Sequence, residues 1–186
     1  MKTRILLIIF SVAVFPVLFN SSCTTVKKVV AFDYTYKIPR TAFTYTPSLL
    51  KTGEQLLFSG PVTANLDSIL NANGLSSGVV GTTTFTKCSV TIEKPDSVTF
   101  SWLQSMRGEI SSVVDFNPAQ QVGTVTNTDP TAKTVNLTTN NTNIRPYLGS
   151  KNFYFRIYGT LNGPVPVPWV QMYLDGQLTM RLQPLN

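Results

Sequence analysis

Over most of the chain, apolar and polar residues follow a two-residue period, the spacing of strands that bury one face. The clearest case is the last. From Val170 to Leu182 the even positions are Val170, Met172, Leu174, Gly176, Leu178, Met180 and Leu182, and the odd ones are Gln171, Tyr173, Asp175, Gln177, Thr179 and Arg181. Gly176 in the apolar set predicts a bulge or bend, or an Asp175-Gly176 turn that would split the segment into a hairpin. Near the start, Phe32, Tyr34, Tyr36 and Ile38 alternate with Asp33, Thr35 and Lys37, and Pro39 is expected to end that strand. Further strands are predicted over 42–46, 55–59, 82–93, 106–116, 121–127, 134–138 and 152–161. In the 106–116 segment the inward set is Met106, Ile110, Val114 and Phe116, with Arg107, Glu109 and Asp115 facing water.

Two segments break this period. Asn65, then Leu66, Ile69 and Leu70, then Gly74, supply a capping residue, a helical apolar stripe and a terminating glycine, so the pattern predicts a two-turn helix over Leu66–Ala72. The stretch 142–149, with Ile144, Tyr147 and Leu148 around Pro146, predicts a helical turn between strands. About eight or nine short strands and one short helix predict an all-β domain, a single antiparallel β-sandwich over residues 31–186. Closure into a barrel is the alternative.

The first 30 residues follow a different pattern. Lys2 and Arg4 precede an apolar run over 5–19, broken only by Ser11 and Pro16, and then Asn20, Ser21 and Ser22 lead to Cys23. The run is shorter than the roughly 20 residues of a membrane span and fits a signal peptide. Small residues directly before a cysteine resemble the lipobox of bacterial lipoproteins. That resemblance implies a signal peptide over 1–22, lipidation at Cys23 and a tether over 23–30. An ordinary cleaved signal and an uncleaved anchor are the alternatives.

Composition narrows the functional classes. The 15 basic residues less Lys2 and Arg4 leave 13 against 9 acidic, a balance of +4 on the mature part. These cations are scattered, with no basic stripe of the kind nucleic acids need, so no nucleic-acid partner is expected. Lys27 and Lys28 beside the anchor would each add about 1 kcal/mol of attraction to an anionic leaflet. Of the two cysteines only Cys88 lies in the domain; it shares a face with Val90 and Ile92 and reads as a small buried hydrophobe.

The chain contains no histidine, which excludes Ser/His/Asp and Cys/His relays and imidazole zinc sites. Paired carboxylates drawn from Asp96, Glu109, Asp115, Asp129 and Asp175 are the remaining catalytic option. Their turn or outward strand positions read as solvated surface. No catalytic residue, metal ligand or cofactor is therefore assigned, and an enzyme is not expected. Tyr154 and Tyr158 lie opposite Phe153, Phe155 and Ile157, and Tyr173 points away from the apolar face of its own strand. If the two strands are neighbours, Tyr154, Tyr158 and Tyr173 form a flat aromatic platform for a sugar ring or a protein. Trp102 and Trp169 read as core or rim anchors.

The lipobox, the Leu66-Asp67-Ser68-Ile69-Leu70 helix ahead of a strand ending Ser89-Val90-Thr91-Ile92, and Arg145-Pro146-Tyr147-Leu148 ahead of Asn152-Phe153-Tyr154-Phe155-Arg156 give the chain its family likeness. It resembles small Bacteroidetes lipoproteins with Ig-like sandwich domains. The resemblance implies attachment to the outer membrane through the lipid on Cys23. It also implies candidate O-glycosylation at Ser97 and Ser68, each in an Asp-Ser-aliphatic triplet. Surface lipoproteins of that group carry acidic residues after the acylated cysteine, whereas Thr24-Thr25-Val26-Lys27-Lys28 follows here, so a periplasm-facing protein is expected. The functional expectation is a noncatalytic binding or accessory protein holding a glycan or an envelope protein at the membrane. The alternative is a structural subunit assembled by pairing of sandwich edges.

Overall fold

A computed structural model describes residues 31–48, 52–72, 74, 76–149 and 152–183. The signal and tether segments, with Cys23, lie outside the described residues. Nine strands run in chain order: β1 (Phe32–Tyr45), β2 (Gly53–Thr63), β3 (Val80–Lys94), β4 (Leu103–Ser111), β5 (Gln120–Thr126), β6 (Thr134–Asn136), β7 (Thr138–Thr139), β8 (Asn152–Leu161) and β9 (Val170–Leu182). The helix α1 (Leu66–Ala72) sits where the capping pattern puts it, and Gly74 ends it with φ 69° and a hydrogen bond from its N–H to the Asn71 carbonyl. The predicted turn within 142–149 is a short 3-10 helix, Arg145–Tyr147.

The strands form two antiparallel sheets, β1-β9-β3-β6 and β2-β8-β4-β5-β7. This is the expected sandwich, and its strand order refines the Ig-like expectation: neighbours in sequence mostly pass from one sheet to the other, the order of a jelly roll. The two inward faces bury Met172, Leu178 and Met180 of β9 against Phe153, Phe155 and Ile157 of β8, with Val90, Ile110 and Val62 beside them. Each such side chain contributes about 1.5 to 3 kcal/mol of burial. Among the described residues this core runs from Ile38 to Leu182, all of it within the chain from Thr24.

Several local expectations are corrected. Pro39 does not end β1. The strand continues past it through a register shift between Ile38 and Thr41, and this bulge accommodates the missing N–H. Asp175 and Gly176 make no hairpin. β9 runs through them as one strand, paired with β1 on one side and β3 on the other. A Cβ on Gly176 would lie 2.9 Å from Ile38 Cδ1, so the glycine marks a close approach of the core, and both neighbouring strands bulge beside it. β4 stops at Ser111, which leaves Val114 71% exposed in a turn, while Phe116, with φ 56°, is buried apart from the sandwich core. The predicted 134–138 strand is two short ones. Leu137 is the buried pivot at which the chain crosses from one sheet to the other, its N–H donating to the Cys88 carbonyl at 2.8 Å.

Cys88 is 2% exposed, as its position between apolar neighbours predicts, and burial pushes its thiol up to about 12. A thiolate is the reactive form. In the chain from Thr24, iodoacetamide should leave Cys88 unmodified under native conditions and label it once guanidinium unfolds the domain, as read by intact mass.

Candidate functional site

The outer face of the five-stranded sheet carries the densest set of charged groups. β4 projects Arg107 and Glu109 outward, and register places them opposite Tyr158 and Arg156 of β8. Arg107 crosses β8 to reach Glu54 of β2, donating from Nε to Oε1 at 2.8 Å and from Nη2 to Oε2 at 3.0 Å. On the way its guanidinium lies 4.0 Å from the Tyr158 ring centroid. Glu109 then joins two arginines: Arg107 Nη1 donates to its Oε1, and Arg156 Nε donates to its Oε2 at 2.5 Å. Arg156 in turn lies 4.4 Å from the Phe116 ring centroid. The result is a charge-alternating row, Glu54, Arg107, Glu109, Arg156, laid across three strands and stacked on aromatic rings.

Electrostatics follow from that geometry. The side-chain hydrogen bond from Arg107 holds the Glu54 carboxyl below its ordinary value, and the bond to Glu54 pushes the Arg107 guanidinium further up. Glu109 departs from the expected solvated carboxylate: its side chain is 14% exposed and both oxygens are taken by arginine. Asp175 keeps the outward strand position of one of its two readings but is not free in solvent, accepting from Arg40 Nε at 3.2 Å. Asp96 and Asp129 occupy turns as expected, Asp115 lies in the turn after β4 rather than on a strand, and Asp129 accepts from the Thr131 hydroxyl at 2.6 Å, which lowers its pKa. The row gives each carboxylate a cation rather than a substrate proton. Its residues act as a clasp between strands.

The tyrosine platform does not assemble. In a roll of this order β8 and β9 belong to different sheets, so Tyr154 and Tyr158 lie on one outer face and Tyr173 on the opposite one. Tyr173 is stacked under Arg40, with the guanidinium carbon 3.7 Å from its ring centroid, and Tyr158 is stacked under Arg107. Trp102 is buried in the core, near Tyr45 and Phe100, whereas Trp169 is 42% exposed at the rim. Ser68 on α1 and Ser97 in the turn after Pro95 are both exposed.

A concave site lies elsewhere, at one end of the sandwich. Here α1, the start of β3, the end of β9 and the loop around Arg145–Tyr147 border an open concavity of about 430 Å³. Leu66, Leu70, Val80, Leu148 and Met180 form its apolar lining, and Asp67, Asn143 and Arg145 bring polar groups to it. Asn143 fastens the loop to β3: its Oδ1 accepts from the Thr83 N–H at 3.0 Å and from the Arg145 N–H at 3.2 Å, and the Ile144 N–H donates to the Thr83 carbonyl at 2.8 Å. The bulge between Val80 and Thr83 turns Thr83 into the cavity wall, fully buried, and its hydroxyl has no hydrogen-bond partner. Sequence reasoning missed this site. The Thr82-Thr83-Thr84 run was visible, but strict alternation gives no sign of which threonine a bulge will bury.

Among the described residues no group of three or more His, Cys, Asp or Glu side chains could hold a metal ion, and no helix is long and apolar enough to cross a membrane. No family model and no curated protein matches the chain. Among solved structures, a chain from Desmodium yellow mottle tymovirus is similar at 14% identity and TM-score 0.30, the match covering 84% of this chain and 90% of that one.

Proposed function

We propose that the protein is a noncatalytic binding or accessory lipoprotein, anchored in the outer membrane through Cys23 and facing the periplasm, that holds its ligand in the cavity between α1, β3 and β9. The observation that carries this reading is the cavity itself. Its volume of about 430 Å³ lies in the range of small-molecule sites, and its lining sets the polar groups of Asp67, Asn143 and Arg145 beside apolar residues. The paired carboxylates of the outer face support a noncatalytic role, because each is neutralised by an arginine that holds two strands together.

The competing reading, assembly by edge pairing, is disfavoured by the edges. β1 and β2 are the terminal strands of their sheets on one side, and each contains a proline, Pro39 or Pro61, and a register shift. Such features keep another chain from adding to a sheet edge. On the other side Leu137 carries the chain across between the sheets. The chain from Thr24 should therefore sediment as a monomer at all concentrations; concentration-dependent multimers would support assembly instead. For the anchor, Cys23→Ser should abolish labelling by an alkyne fatty acid, and labelling that survives the substitution would sink that part of the proposal.

A further inference from the structure

Resting on the anchoring at Cys23 just proposed, we infer that the domain docks end-on against its membrane, pressing Phe32 and the Val113-Val114 tip into the lipid headgroup layer. Register fixes which end this is. β1 begins at Phe32, which pairs with Leu182 of β9, and Leu182 pairs in turn with Val80 at the start of β3. In the other sheet Thr63 pairs with Asn152 and Ser111 with Tyr154, so β2 and β4 finish at the end where α1 joins β2 to β3. The lipid-bearing segment therefore enters the domain at the end that carries α1, the turn after β4 and the concavity. Its reach is limited. Phe32 lies nine residues after Cys23, a distance of about 30 Å even at full extension. β9 alone, 13 residues long, spans about 43 Å. The domain cannot stand inverted with Trp169, at the opposite end, on the leaflet.

Apolar exposure then separates the end from the sides. Phe32 is 49%, Val113 40% and Val114 71% exposed, and all three lie at the tethered end. The outer faces are charged instead, with Glu54, Arg107, Glu109 and Arg156 across one and Lys37 and Lys87 on the other. Laying either face on lipid would strip water from those groups, whereas end-on docking buries apolar side chains. Just behind Phe32, Asp33 and Arg181 pair at 3.0 Å and cancel each other, and Asp67, Asp115 and Arg145 stay at the depth of the hydrated headgroups. The same contact holds the concavity beside the leaflet.

The test places the acylated full-length protein in phosphatidylcholine vesicles whose acyl chains carry bromine, with one environment-sensitive dye on an introduced cysteine. Cys88 is buried, and the proposed lipid holds the Cys23 sulfur, so neither competes for the dye. Dyes at Phe32→Cys, Val113→Cys and Val114→Cys, each in a separate chain, should shift to the blue and lose intensity relative to vesicles without bromine. Dyes at Lys87→Cys and Thr124→Cys on the two outer faces, and at Gly163→Cys in the loop between β8 and β9, should do neither. Quenching as strong at Lys87→Cys or Thr124→Cys, or none at Val113→Cys and Val114→Cys in vesicle-bound protein, would overturn end-on docking. A full-length chain that never joins the vesicles would instead sink the anchoring, and the docking with it.

Discussion

Leu178→Asp is expected to leave the domain unfolded, whereas Thr179→Asp, one residue along, should melt within about 0.5 kcal/mol of the natural chain. Leu178 is fully buried in the centre of β9, opposite Tyr36 on one side and Phe85 on the other. A carboxylate there has no cation within the apolar layer, and burying it, or protonating it to do so, costs several kcal/mol on top of the lost leucine packing, a large share of the roughly 5 to 15 kcal/mol that hold a typical domain together. Thr179 faces outward between Thr35 and Thr84, where a charge stays in water. Thermal melts followed by circular dichroism separate the two. Because β9 is central to its sheet, equal tolerance of both substitutions would remove the sandwich as well as the strand.

Glu109→Ala is expected to cost about 2 kcal/mol, a large effect for an outward-facing residue. Glu109 is the one carboxylate that both Arg107 and Arg156 reach, and its loss leaves two guanidinium groups side by side with only Glu54 to balance them. The arginines are 28% and 25% exposed, so solvent screens part of the penalty and keeps it below that of a fully buried pair. Asp96→Ala is the matching control: Asp96 is 97% exposed and lies 3.8 Å from Lys133, so its removal should be near neutral. Urea titrations of both variants measure the difference. The pH dependence has a definite sign. Glu54 is held below its ordinary pKa by Arg107, so its contribution is fully present above the ordinary carboxylate range and fades as pH falls through the lowered value.

Much of the fold is legible in the sequence because strands and short helices write their own periods locally. β8, β9 and α1 occupy the segments their patterns mark, and Cys88 is buried because the strand period puts it with Val90 and Ile92. What the sequence conceals depends on contacts distant in the chain. Nothing local to Tyr154 or Tyr173 says that β8 and β9 fall in opposite sheets, so the aromatic platform dissolves once topology is known. Arg107 and Glu109, two apart on one strand, hint at a charged row; Glu54, which completes it, is 53 residues away from Arg107. Local irregularities hide the rest. A bulge carries β1 past Pro39, and another at the start of β3 buries Thr83 beside the cavity. The period-two rule cannot anticipate either, because a bulge is the one place where alternation resets.

The most direct test of the account is native mass spectrometry of the full-length protein, extracted with mild detergent from its own envelope. A single protomer is expected, its mass including a covalent lipid at Cys23 and one noncovalent small-molecule adduct that is lost when Leu148→Trp adds bulk to the cavity lining. A defined multimer, or a protomer that never carries an adduct, would contradict it.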